Sequence, residues 1–225
     1  MYDAIFFDLD GTLVDTEVLA LAAGMQAFAD LGHPVALDFM HRLVGVDIPT
    51  AGKIIKQIHP GLDQTKLQPL WQAGFLAAMQ QQGLGLKPGA IELLTNPGLP
   101  IALVTSSGRN EAHHKLAKAG IAQHFDLVIT VDDVSAPEPA PAPYLLAAER
   151  LGVNPARCLV FEDSETGAEA GHRAGCTVVQ VPDVVPSQGR CAHHLAQDLL
   201  SGARAAGLQV RSPIAARVCS GAPAF

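Results

Sequence analysis

One short apolar run, Ala4-Ile5-Phe6-Phe7, reads as a buried strand, because it is continuous and gives way at Asp8 to polar residues and a glycine. From Thr16 to Leu84 no second strand follows. That stretch holds only helical patterns, at Val18 to Leu31, Ala51 to Ile58 and Leu67 to Gln82, broken at Gly32-His33-Pro34 and Pro60-Gly61. After Lys87-Pro88-Gly89, whose proline suits the first turn of a helix, strands return in alternation with helices. Strands are expected at Pro100 to Val104, Leu127 to Val131, Cys158 to Phe161 and Thr177 to Val181. The helices between them, Arg109 to Ala119, Pro143 to Leu151 and Thr166 to Ala174, are closed by Gly120, Gly152 and Gly175. Five strands joined through helices predict an α/β fold, a Rossmann-like three-layer core with a mainly parallel sheet. The helical stretch then has to be an insertion after the first strand. The expected division is 1–15 and 86–211 for the discontinuous α/β core and 16–85 for an inserted all-helical cap. Residues 212–225, opening with Ser212-Pro213 and lacking any period, are expected to form a flexible tail.

Composition narrows the function. Fifteen Lys and Arg against 22 Asp and Glu give a net charge of -7, and no basic stripe offers a footprint for nucleic acid. No window approaches the roughly 18 to 20 apolar residues of a membrane span, and Met1-Tyr2-Asp3 does not resemble a basic signal-peptide start, so a cytoplasmic protein is expected. Cys158, Cys176, Cys191 and Cys219 are too widely spaced for a C-x-x-C pair and too few for a disulfide framework, which points to reduced thiols. The pairs His113-His114 and His193-His194 cannot easily share an ion on a helix, where adjacent residues point about 100° apart. Fingerprints for a P-loop or a dinucleotide turn are absent.

In an open parallel sheet, ligands bind beyond the carboxyl ends of the strands. The first strand runs into Asp8-Leu9-Asp10-Gly11-Thr12, the second into Thr105-Ser106-Ser107-Gly108, and the Cys158 strand into Glu162-Asp163-Ser164. Carboxylates crowded at strand ends repel one another, and a hard divalent cation would offset that repulsion, which points to Mg²⁺. With the Thr105 hydroxyl to hold phosphoryl oxygens and a free carboxylate as nucleophile, the set suits phosphoryl transfer. Taken singly, the acids could cap helices or fill turns, and Thr105 could be a helix cap.

DLDGTLVDTE at 8–17, LVTSS at 103–107 and FEDS at 161–164 resemble, in order and spacing, the motifs of the haloacid dehalogenase superfamily. The resemblance covers nearly the whole chain except the tail, and its phosphoglycolate phosphatase-like and β-phosphoglucomutase-like branch has a helical cap between the first two motifs. It implies a Mg²⁺-dependent phosphatase acting on a small phosphorylated metabolite. Asp8 would be the nucleophile that forms an aspartyl-phosphate, and Asp10 the acid and then the base. Thr105, Ser106 and Gly11 would bind the phosphoryl group. The metal would be held by Asp8, the Asp10 main-chain carbonyl and Asp163, with Glu162 nearby, and Gly11 would let the chain turn away from the strand. Dehalogenation is disfavoured by Asp10 and the Glu162-Asp163 pair. A monomer is the simpler expectation for the assembly.

Two positions depart from the family. Glu138, in Pro137-Glu138-Pro139-Ala140-Pro141, stands where the family usually supplies a lysine that neutralises nucleophile and phosphate, and Ala142 stands where an acid is common. An ionised Glu138 about 5 Å from Asp8 would repel it by on the order of 3 kcal/mol at an effective dielectric of 20. The conflict is resolved if Glu138 faces solvent, if it is protonated, or if Arg109, Lys115 or Lys118 reaches the site; each of these three is by default a solvated helix-face residue. Failing all of these, the chain would be a weakened protein that binds metal and phosphate. Ala20 and Ile48 stand at about the places where the family's sugar phosphomutases use a histidine and an arginine, which favours hydrolysis over mutase chemistry. In the insertion, Arg42, Lys53, Lys56 and Trp71 are the residues able to face a substrate, though each is by default a surface or packing residue.

Overall fold

A computed structural model describes residues 1–44, 48–95 and 98–210, with the backbone alone at 48 and 49. The expected tail at 212–225, together with Cys219, lies outside the described residues. Six parallel strands are ordered β3-β2-β1-β4-β5-β6. They are β1 (Ala4–Phe7), β2 (Ile101–Val104), β3 (Leu127–Ile129), β4 (Cys158–Glu162), β5 (Thr177–Gln180) and β6 (His194–Leu195). The first strand is central: Ile5 pairs with Ile101 on one side and Leu159 on the other. The chain builds outward through β2 and β3, then crosses to β4, so the order reverses beside β1 and opens a crevice at its carboxyl end.

Alternate residues of each strand enter opposite layers, as the period of two requires. Ile5, Phe7, Leu103, Leu159, Phe161 and Val179 pack under α5 (Ala90–Thr95), α6 (Arg109–Ala119) and α9 (Leu199–Ala205). Ala4, Phe6, Val104, Val160 and Val178 pack under α7 (Ala142–Leu151) and α8 (Glu165–Arg173). Gly120 and Gly152 close α6 and α7 in the left-handed conformation expected of them.

The expected strands are present, with one more than the five expected. β6 is two residues long, held to β5 by His193 N–H to Val178 O and Ala196 N–H to Gln180 O at 2.8 and 2.9 Å; so short a run carries no apolar pattern. The third strand ends at Ile129 rather than Val131 because Thr130 and Asp133 form a capping box that starts a helical turn.

Between β1 and α5 lie α1 (Glu17–Asp30), α2 (Leu37–His41), α3 (Ile48–Ile58) and α4 (Gln64–Gln82). The fourth begins earlier than Leu67 because the Asp63 carboxylate accepts from Thr65 N–H and caps the first turn. Leu21, Phe28, Met40, Ile55, Leu62 and Leu67 form a separate apolar cluster among these helices. Trp71 of α4 packs on α1 over Gly24, where a Cβ would come within 2.6 Å of the indole, and its Nε1–H donates to Ala20 O at 2.7 Å. The outgoing and returning chains run side by side, Asp15 N–H donating to Gly85 O and Lys87 N–H to Leu13 O, both at 2.9 Å.

Candidate active site

The residues following β1, β2 and β4 meet in the crevice beside the central strand, as their positions in the sequence require. Asp8 leaves β1 buried, its N–H donating to Phe161 O at 3.0 Å. Asp8, Glu162 and Asp163 place one carboxylate oxygen each within 4.8 Å of one another. Among the described residues no ion pair reaches any of these three. Burial, and then the charges of Glu162, Asp163, Glu138 and Asp10, hold the Asp8 carboxyl well above the usual carboxylate range. Burial and then Glu17 and Asp183 push Asp163 up to about 7.

Glu162 is the more enclosed partner. Tyr144 O–H donates to its Oε1 at 2.7 Å and Ser164 Oγ–H to its Oε2 at 3.1 Å, fixing the carboxylate against α7 and α8. A Cβ at Gly167 would lie 1.9 Å from Glu162 Oε1, so the carboxylate occupies the space that a side chain would take. Gly11 turns at φ +80°, and a Cβ there would stand 2.5 Å from Asp163 Oδ2. The expected freedom of Gly11 is thus needed twice, for the turn and for the carboxylate beside it.

This donor set fits a hard divalent cation. Three carboxylates from two adjacent strands converge without sulfur or imidazole; Asp8 and Glu162 are buried and Asp163 half-buried, and among the described residues no counter-charge touches them. The Asp10 side chain lies outside the cluster. Its Oδ2 accepts from Lys115 Nζ at 2.7 Å and from Ser107 Oγ–H at 2.8 Å, whereas Oδ1 is buried with no partner.

Thr105 is buried at the end of β2, and its Oγ1 accepts from Ser107 N–H at 3.1 Å. The cap position of α6 belongs to Gly108, so Thr105 is not a helix cap. Ser106 is exposed and donates from Oγ to Glu138 Oε2 at 3.0 Å. Glu138 is half-buried rather than free in solvent, and burial raises its pKa against the opposing hydrogen bond from Ser106.

Of the three candidate cations, one enters the site. Arg109 Nη2 turns away to Asp133 Oδ1 at 2.9 Å, and Lys118 is exposed. Lys115, expected by default on a solvated face, is buried, with its ammonium also 2.5 Å from Glu111 Oε1. Burial works to lower its pKa, but Asp10 and Glu111 outweigh this and raise it. The signal for this was the helical period: Ala112, Lys115, Leu116 and Ala119 share one face of α6, an apolar stripe with a lysine in it. Tyr144 gave no comparable signal, because its role depends on contact across the sheet layers.

A cavity of about 660 Å³ opens between α1, α3, α4 and α6, linked to Asp10 through Glu111 and Lys115. It is lined by Leu67, Trp71, Phe75 and Leu76 with the amides of Gln64, Gln68 and Gln72, and it meets the site at Glu111. Among its described lining residues there is no lysine or arginine; Arg42, Lys53 and Lys56 are exposed elsewhere, so of the candidates from the inserted helices only Trp71 reaches it. Ala20 lines it, and the Ile48 side chain lies outside the described residues. His113 and His114 are exposed, and no histidine belongs to a metal-ligating group among the described residues.

Residues 2–175 match the family of haloacid dehalogenase-like hydrolases. The chain belongs to that family. Hexitol phosphatase A of Escherichia coli is 34% identical over 200 residues, covering 78% of this chain and 81% of the relative. The fructose-1-phosphate phosphatase YqaB of the same organism is 31% identical over 183 residues, covering 80% and 96%. A haloacid dehalogenase family hydrolase from Deinococcus radiodurans, with bound phosphate and sodium, superposes with a TM-score of 0.80 at 28% identity over 94% of this chain and 99% of that one. Family and relatives make this haloacid dehalogenase-like chain an enzyme, a phosphoric monoester hydrolase. No helix among its described residues is long and apolar enough to cross a membrane.

Proposed function

We propose that the protein is a Mg²⁺-dependent phosphatase that hydrolyses a small phosphorylated sugar or sugar alcohol through an aspartyl-phosphate on Asp8. The observation that carries this reading is the division of labour among the acids: Asp8, Glu162 and Asp163 gather within 4.8 Å, while Asp10 is held apart with Oδ1 free of partners. Asp8, Glu162, Asp163 and the Asp10 carbonyl would hold the magnesium ion, which when bound would screen the carboxylates and polarise phosphoryl oxygens. One Asp8 carboxylate oxygen attacks phosphorus as the ester P–O bond breaks, and Asp10 gives its proton from Oδ1 to the departing alkoxide. Water then attacks the phosphorus, losing its proton to Asp10, and the bond to Asp8 breaks to release inorganic phosphate. Thr105 and Ser106 are assigned to the phosphoryl oxygens, and Gly11 to the clearance beside Asp163.

The same reading makes 16–85 a cap that closes over a core of 1–15 and 86–211 and excludes water. Among the described residues its cavity has apolar and amide groups and no lysine or arginine for a second phosphate, which favours a monophosphate and hydrolysis over bisphosphate mutase chemistry. The relatives that act on hexitol and fructose phosphates support a polyol ester. The test is phosphate release from hexose, hexitol and glycolate monophosphates with Mg²⁺ or with chelator. Turnover of a hexose or hexitol ester near the common enzyme rate of about 10 s⁻¹, abolished by chelator, is expected. Metal-independent turnover, or an isomerised sugar phosphate without phosphate release, would overturn it.

A further inference from the structure

The crevice holds Asp8, Asp10, Glu138, Glu162 and Asp163, and a phosphate ester would bring in more negative charge. Lys87 brings positive charge to its Asp163 side through Asp183, and Lys115 brings it to Asp10: the Lys115 side chain is 4% exposed and is anchored 2.7 Å from Asp10 Oδ2, 3.0 Å from Ser107 Oγ and 2.5 Å from Glu111 Oε1. Burying an ammonium is costly unless it is paired. It sits on the apolar stripe of α6, and its Nζ is 5.9 Å from the centre of the Phe75 ring, a place where leucine or methionine would pack at no such cost.

We propose that Lys115 is the positioning residue of this active site: the α6 ammonium holds Asp10 in its working rotamer and supplies the counter-charge that makes an acid at position 138 tolerable. Ser107 and Lys115 together occupy Oδ2, which leaves Oδ1 as the oxygen that meets the leaving group. Glu111 holds the ammonium from the other side and lines the mouth of the cavity, so the chain Asp10–Lys115–Glu111 runs from the reacting end of the crevice to the pocket for the organic part. Two positions on different elements thereby trade charge, a lysine on α6 against a carboxylate hydrogen-bonded to Ser106 after β2. The assignment rests on the phosphatase reading, since it presupposes a leaving oxygen for Asp10 to meet.

Lys115→Met, Glu138→Lys, the double variant and Ser107→Ala, assayed as the whole chain beside the wild type, test it. Lys115→Met is expected to lower kcat by about a hundredfold with KM within about threefold, the pattern of a lost transition-state interaction. Adding Glu138→Lys should restore at least a tenth of wild-type kcat, whereas Glu138→Lys alone should not exceed the wild type. Ser107→Ala, which removes the smaller clamp, should cost several-fold in kcat and leave the melting temperature unchanged. Mn²⁺ titrated calorimetrically in the absence of substrate should bind Lys115→Met as tightly as wild type or more tightly, a readout that loosened folding would move the other way. Wild-type turnover matched by Lys115→Met, or a double variant no better than Lys115→Met alone, would overturn the assignment and leave the phosphatase reading standing. A wild type inactive on every ester would sink both.

Discussion

The strand-end crevice and the cavity among the inserted helices lie side by side and are built from opposite materials. The crevice is a set of buried and half-buried carboxylates, held by their strand ends, by hydroxyls and by a lysine. The cavity is a wall of Trp71, Phe75, Leu67 and Leu76 with glutamine amides between them, on helices that pack mainly on one another. The crevice concentrates electrostatic repulsion that only a cation relieves, and the cavity offers shape and amide contacts to a neutral, hydroxylated body. Chemistry and choice are thus assigned to different layers of the fold, so changes in one should leave the signature of the other intact.

The hardest test of that separation is Asp8→Asn, which removes the proposed nucleophile from a buried part of the crevice. It should lower kcat by about four powers of ten or more while substrate still binds with near wild-type affinity, measured calorimetrically. Retained turnover would mean that another group attacks phosphorus.

A second test sets the crevice against the solvent. Asp163 has its pKa raised to about 7 in the folded chain against an ordinary 3.8, so the fold holds a proton that the unfolded chain gives up. Its contribution to stability is then complete below about pH 4 and is lost as the pH rises through about 7, with a ceiling of about 4 kcal/mol. Thermal melts with chelator should fall across this window, Asp163→Asn should flatten the fall, and saturating Mg²⁺ should reverse it. A metal-free melting temperature that is level from pH 5 to 8 would show that the carboxylates are not in conflict.

The smallest effect is expected in the cavity. Trp71→Leu removes the indole that packs on α1 and its hydrogen bond to Ala20 O, and should raise KM by about tenfold with kcat within about threefold. An equal loss in kcat would join the two regions into one functional unit.

Much of the site was legible in the linear chain, because a parallel sheet sends its strand ends to one edge, where the acids stand at the ends of two strands and Thr105 at the end of a third. Asp8, Asp10, Glu162, Asp163 and Thr105 needed only that rule and the resemblance to be gathered. Tyr144 and Gly167 did not obey it: they matter because α7 and α8 pack against Glu162, and nothing in their own neighbourhoods announces this. β6 was unreadable for a different reason, since two residues held by hydrogen bonds to β5 need no apolar pattern.

Lys115 and Glu138 mark the boundary between the two kinds of knowledge. The order of the five longer strands, the edge where the acids meet and the charge conflict at position 138 follow from the linear chain, because these depend on periodicity and on residue chemistry. That Lys115 turns inward to Asp10 while Arg109 turns to Asp133 and Lys118 to solvent follows from packing between elements far apart in the chain. A lysine on a helix face has no intrinsic preference strong enough to choose; the Asp10 and Glu111 carboxylates beside that face supply it.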